Sequence, residues 1–309
     1  GDGASDASNF ALPAEHVGVR GDFGQVAGPR TLVAYQAGLT YLHGGAEAVA
    51  RLEGAFTIAI WDGREGLLTL VNDRYGLYPH FWSRVGGGFC FAPELKALYA
   101  APGFSPRIDP TAIAQYVRFQ QLLGERTWLE GVQMLAPASI LRYHPETDRL
   151  QTTTYWHWGM IGRPHPIDFP EAAEETTRLF KRAIDAMSQS PHRLGVYLSG
   201  GLDGRTILAH LNNPEKATTV TFGAPGCRDV VYGTEIARRA GSRNLWFPIT
   251  NGKWVQENAQ LHFDLVEGRH SWVHMHGIQT LETASREIDV HLSGWDGGTT
   301  LGGRLDDYG

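Results

Sequence analysis

A short apolar run that ends abruptly in glycine places the tightest limit on how this chain folds. Residues 194–198 read as a buried strand, Ser199-Gly200-Gly201 turns it, and from Asp203 the pattern is helical, with Ile207, Leu208 and Leu211 on one face. A strand that feeds a helix through glycine aims backbone N–H groups and the positive helix end at one spot, a receptor for phosphate oxygens. The glycines admit an anion close to the backbone, and Asp203 at the helix entrance is placed to hold a magnesium ion bridging phosphates. There is no Walker lysine and no Gly-x-Gly-x-x-Gly spacing. The competing reading is a strand-turn-helix whose glycines serve packing alone, a common turn in α/β proteins.

Helices and strands alternate around this stretch. An amphipathic helix over 170–188, with Asp168 as its cap, precedes the strand; strands are expected at 217–222, 245–249 and 289–292, and helices at 232–240, 254–263 and 277–286. Such alternation predicts a parallel sheet with helices on both faces. Before residue 157 the pattern differs: helices at 31–42 and 46–52, then strands at 55–61, 66–72, 80–82 and 89–91 and a short helix at 93–99. Gly162, Pro164, Pro166 and Pro170 break regular structure between the two regimes, so domains are expected over 1–158 and 159–309.

With 309 residues, the chain has room for two domains. A net charge of −6 argues against a nucleic-acid binder working by phosphate neutralisation. The two cysteines, Cys90 and Cys227, are too few for a disulfide framework and lack metal-site spacing, which suits buried thiols in a reducing cytoplasm. No apolar run has membrane length. Among His270, His274 and His276 two imidazoles can lie one helical turn apart, with no acidic or third ligand at fixed spacing, so packed histidines are preferred to a metal pair.

Two sets of residues carry a resemblance. Ser199-Gly200-Gly201-Leu202-Asp203 directly after a strand resembles the pyrophosphate loop of the ATP pyrophosphatases, in which a serine usually follows the aspartate; here Gly204 stands, and one hydroxyl donor is missing. Arg51-Leu52-Glu53-Gly54-Ala55-Phe56 and Trp61-Asp62, then Asn72-Asp73-Arg74-Tyr75-Gly76, then Phe91-Ala92-Pro93-Glu94-Leu95-Lys96-Ala97-Leu98 are similar, in order and spacing, to landmarks of the glutaminase-type domain of asparagine synthetases. Residues 131–138 and Tyr155-Trp156 stand where that domain closes. By this resemblance, over roughly residues 45–303, the chain is identified as a member of the asparagine synthetase-like superfamily, which includes β-lactam synthetases and lasso-peptide cyclases.

The resemblance implies an αββα sandwich of the N-terminal-nucleophile type, followed by a parallel-sheet ATP-pyrophosphatase domain of the adenine nucleotide α-hydrolase-like kind. It implies ATP and Mg2+ as cofactors. The nucleotide site would comprise Leu198, Ser199, Gly200, Gly201, Leu202, Asp203 and Gly204, with Thr221, Phe222 and Gly223 beside the adenine and Ser293 and Gly294 from a second loop. That second loop departs from the family: Trp295 stands for a glutamate, Gly298-Thr299 for an Asp-Glu pair, and Asp296 is its remaining carboxylate. Asp203 and Asp296 are therefore the expected catalytic and metal-binding residues. Glutaminase chemistry needs a cysteine at the mature N-terminus, where this sequence has Gly1. Either the start lies upstream or ammonia production is lost, and loss is preferred.

The implied activity is adenylation of a small-molecule or peptide carboxylate and its transfer to an amine, with neither nucleic acid nor membrane as partner; a homodimer is allowed. The alternatives are a glutamine-hydrolysing asparagine synthetase whose N-terminus is missing here, and a degenerate nucleotide-binding or structural homologue. A sulfur-transfer or tRNA-modifying pyrophosphatase is disfavoured by the front half and by the acidic charge. The family also uses a basic residue further downstream, so the catalytic domain is expected to continue past Gly309.

Overall fold

Strand burial in the first half follows a sheet covered on both faces. A computed structural model describes residues 19–20, 30–162, 166–189, 192–270, 272–295 and 297. The chain divides into two units, Gly1–Pro164 and His165–Gly309. In the first unit β1 (Val19–Arg20), β2 (Thr57–Asp62), β3 (Leu67–Asn72), β7 (Ser139–His144) and β8 (Arg149–Thr154) form an antiparallel sheet in the order β1-β2-β3-β7-β8. A second antiparallel sheet contains β4 (Phe81–Val85), β5 (Gly88–Ala92) and β6 (Val132–Met134) in the order β5-β4-β6.

Side-chain alternation gives these sheets their layers. Helix α1 (Arg30–Val49) buries Ala37, Ala46 and Val49 against Ile58, Ile60, Val71 and Ile140. The opposite face of that sheet presents Leu70, Leu141 and Tyr143 to Trp82 and Phe89 of the second sheet, and the Phe89 and Tyr143 rings stack at 4.8 Å. Beyond the second sheet, Phe81 and Val132 pack on Leu95 and Leu98 of a 3-10 helix, Leu95–Ala100. The result is the expected α-β-β-α order. The two helices read at 31–42 and 46–52 form one element broken at Gly45 (φ 68°). Helix α2 (Pro110–Phe119) was not legible as a periodic segment, because Ala112 is its one buried residue; Asp109 caps it by accepting from the Thr111 and Ala112 N–H groups.

In the second unit all strand pairs are parallel, in the order β11-β10-β9-β12. These strands are β9 (Leu194–Tyr197), β10 (Thr218–Gly223), β11 (Arg243–Pro248) and β12 (Val290–Leu292). Helix α3 (Phe169–Ser188), whose Asp168 cap accepts from Glu171 N–H, contributes Ile184 to a core with Val196, Leu198, Ile207 and Leu208. Helices α4 (Leu202–His210), α5 (Arg228–Ala240), α6 (Lys253–Val266) and α7 (Leu281–Glu287) complete the unit. Where 277–286 reads as one helix, the chain runs as a 3-10 helix, Trp272–Thr280, before α7. The chain steps from β9 to β10 to β11 in one direction and returns to place β12 on the other side of β9. That reversal makes the carboxyl ends of β9 and β12 the switch point of the sheet, the usual ligand position in open α/β sheets. Among the described residues no helix is long and apolar enough to cross a membrane.

Candidate functional site

Two loops leave β9 and β12 side by side because their strands are hydrogen-bonded neighbours, with Val196 opposite Leu292. Each opens on a serine that turns the chain in the same way: Ser199 Oγ accepts from Gly201 N–H at 3.1 Å, and Ser293 Oγ accepts from Trp295 N–H at 3.1 Å. The loops then touch. A side chain on Gly294 would place its Cβ 2.2 Å from Asp203 Cβ, and one on Gly297 would lie 3.1 Å from Asp203 Oδ1. Glycine is thus required at Gly294 for Asp203 to sit between the loops.

Gly201 is the N-cap of helix α4, with extended backbone and no side-chain cap hydrogen bond. The N–H groups of Leu202, Asp203 and Gly204 belong to its first turn and have no intrahelical acceptor. Ser199, Leu202 and Asp203 are exposed. Helix α4 packs so closely on β9 that a Cβ on Gly204 would lie 2.2 Å from the Tyr197 carbonyl oxygen. A serine cannot occupy this position without moving the helix; the missing hydroxyl has no room.

The site differs from the expected one in its amides. Gly200 N–H donates to Asp229 Oδ1 at 3.0 Å and Gly201 N–H to Ser199, so both already have a protein acceptor. Leu198 is buried, its N–H donates to Val220 O, and its carbonyl accepts from the buried Thr221 hydroxyl. Leu198 and Thr221 therefore brace the loop from beneath. Phe222 stands 6.0 Å from the Tyr197 ring and 5.2 Å from His276, and the Gly223 carbonyl accepts from Ile249 N–H. Asp296, Gly298 and Thr299 lie outside the described residues, as does the side chain of His274. No group of three or more metal-ligating side chains gathers among the described residues.

Helix α5 supplies residues that periodicity did not single out. It starts at Arg228 rather than near Tyr232, with Cys227 as its N-cap. Cysteine is not among the usual cap residues, so the start carried no signal. Its first turns line a cavity of about 480 Å3 with Gly200, Cys227, Arg228, Asp229 and Tyr232. On the other side of the loop Arg205 Nη2 donates to Gly200 O at 2.8 Å. Behind the site His291 on β12 stacks on Tyr197 at 3.7 Å, and burial holds its imidazole down to about 4.

Comparison with known proteins decides the family. A glutamine amidotransferase domain model matches residues 39–156, and an asparagine synthase model matches residues 175–303. The chain belongs to the asparagine synthetase-like superfamily. It is 28% identical over 188 residues to asparagine synthetase [glutamine-hydrolyzing] 3 of Bacillus subtilis, covering 59% of this chain and 30% of that protein. To asparagine synthetase [glutamine-hydrolyzing] 1 of the same organism it is 24% identical, covering 85% of this chain and 42% of the relative. The chain thus spans less than half the length of either relative. Among solved structures, a B. subtilis glutamine phosphoribosylpyrophosphate amidotransferase aligns over 81% of this chain and 52% of its own, at 12% identity and a TM-score of 0.30.

In the amidotransferase-like unit, the cysteine is Cys90 on β5. Its Sγ donates to the Ser83 carbonyl at 3.5 Å, and burial pushes the thiol up. Those are properties of a packed thiol, not of a nucleophile.

Proposed function

We propose that this protein is an ATP-dependent carbon-nitrogen ligase of the asparagine synthetase type, adenylating a carboxylate and passing it to a nitrogen nucleophile without glutaminase chemistry of its own. The observation that carries this is the meeting of two glycine loops at the carboxyl ends of β9 and β12 with the exposed Asp203 between them. Chain reversal there leaves the first-turn N–H groups of α4 facing the point where a polyphosphate would lie. Leu202, Asp203 and Gly204 N–H groups, with the Ser199 hydroxyl, would meet charge as it develops on departing pyrophosphate, which is electrostatic catalysis. Asp203 would hold Mg2+, and one carboxylate suffices where phosphate oxygens and water complete the shell. Asp296 remains the proposed second carboxylate.

In the reaction a carboxylate oxygen attacks the α-phosphorus and the bond to pyrophosphate breaks. An amine then attacks the acyl carbon and AMP leaves. The chain's own part is to hold the two substrates together and exclude water. The domain limits we propose are 1–158 for the amidotransferase-like part and 159–309 for the synthetase part, in a cytoplasmic setting.

ATP–pyrophosphate exchange across a panel of carboxylic acids tests this function. Acid-dependent exchange is expected; bound nucleotide without exchange for any acid would leave a degenerate homologue. A glutamine-hydrolysing synthetase is the second reading, favoured by the names of the relatives. Release of ammonia from glutamine would decide for it.

A further inference from the structure

The cavity between the glycine loop and α5 combines one guanidinium, one carboxylate and one phenol ring. Its carboxylate is already committed: Asp229 accepts the Gly200 N–H, which fixes the loop but sets a negative charge beside any bound polyanion. With Gly200 and Gly201 amides both taken, the first turn of α4 alone is a weak counterweight to several phosphate charges. Arg228 stands on the same cavity wall, its guanidinium 5.8 Å from the centre of the Tyr232 ring. Elsewhere in the unit Arg193, Arg238, Arg243 and Arg286 each hold a carboxylate, whereas Arg228 has no such partner among the described residues. An arginine steadied on an aromatic face and left without a carboxylate is prepared for a phosphate.

We infer that Arg228 is the cation that meets the outer phosphates of the bound nucleotide, so that affinity at this site depends on phosphate number. This rests on the nucleotide-binding function proposed above and adds a specificity-determining residue to it. Asp229 is then the positioning residue and Arg228 the reading one, contributed by adjacent residues of one helical turn.

Calorimetric titration of ATP and AMP, each with Mg2+, into wild type, Arg228→Ala, Arg228→Gln and Arg228→Lys tests it. Loss of the guanidinium should weaken ATP at least tenfold and leave AMP within about twofold, with Arg228→Lys recovering part of the ATP loss. Arg228→Gln keeps most of the stem, and so gives the same answer should Arg228→Ala fold poorly. An unchanged ATP-to-AMP ratio in both neutral variants overturns the inference while leaving nucleotide binding intact. Wild type that binds neither nucleotide overturns the nucleotide function, and the role of Arg228 with it. The chain also carries its own reporter. Cys227 lines the same cavity, so bound ATP should slow its alkylation relative to Cys90, and alkylation at full rate with ATP bound would place the nucleotide elsewhere.

Discussion

Two aspartates, each at a turn that follows a strand, have opposite fates. In the first unit Asp73 is 1% exposed, and its carboxylate accepts from Phe56, Tyr75 and Leu77 N–H groups at 2.9–3.1 Å. Around it Asn72 Nδ2 donates to the Leu135 and Ala136 carbonyls, and Tyr155 donates to Asn72 O at 2.8 Å. That turn is closed on itself, and Tyr155 is pushed up to about 12 by burial and by the nearby Asp73 charge. In the second unit Asp203 is exposed at a helix start whose N–H groups have no intrahelical acceptor. The lesson is one of satisfaction. A carboxylate surrounded by protein donors organises a fold, whereas one set among open donors is available to a ligand.

Substitutions can break this contrast. Asp203→Asn should lower ATP–pyrophosphate exchange by about a thousandfold or more while shifting stability by no more than about 0.5 kcal/mol, as expected of an exposed position. Exchange rate and urea midpoint together check this, and a large loss of stability with retained exchange would erase the distinction. Asp73→Ala should do the reverse to the first unit. Stranding the buried Phe56 N–H and the part-buried Tyr75 and Leu77 N–H groups costs about 3 kcal/mol, read as a fall in the denaturation midpoint.

Gly204→Ser sharpens the comparison on the ligand side. Restoring the hydroxyl usual in ATP pyrophosphatases should not raise exchange, and the clash with Tyr197 O should cost about 1–3 kcal/mol, seen in the melting temperature. A further effect concerns pH. His291 is neutral in the fold with its pKa lowered to about 4 by burial, against 6.5 for a free imidazole. The unfolded chain therefore binds the extra proton first. The stability this contributes is complete above pH 6.5 and is lost as pH falls from 6.5 towards 4, by roughly 2 kcal/mol after allowing for partial exposure. Urea unfolding at pH 7 and pH 4.5 should show this fall in wild type and a smaller one in His291→Gln.

Several elements were legible because their causes are local. The 170–188 periodicity with Asp168 ahead of it became α3, and the β-branched run at 217–222 became β10 one residue later. Helix α2 and strand β8 carry little periodic signal for a physical reason: each buries little, and β8 is mostly exposed. Periodicity reports burial, so a lightly buried element leaves a faint trace. At the site, the glycine turn stood out by spacing, but the wall facing it did not. The hydrogen bond joining Gly200 to Asp229 spans 29 residues, and nothing near Gly200 in sequence announces it.

The chain's order of residues was enough to determine a buried strand, a glycine turn and a helix after it, and the change to alternating strands and helices beyond residue 157. Those depend on side-chain period and on backbone freedom within a few residues. Tertiary structure alone decided which amides stay open, that Gly204 has no space for a side chain, and that Arg228 shares a cavity with the loop. Each of these is a distance between segments far apart in the chain, set by how α4 and α5 pack on the sheet, and no local pattern encodes such a distance.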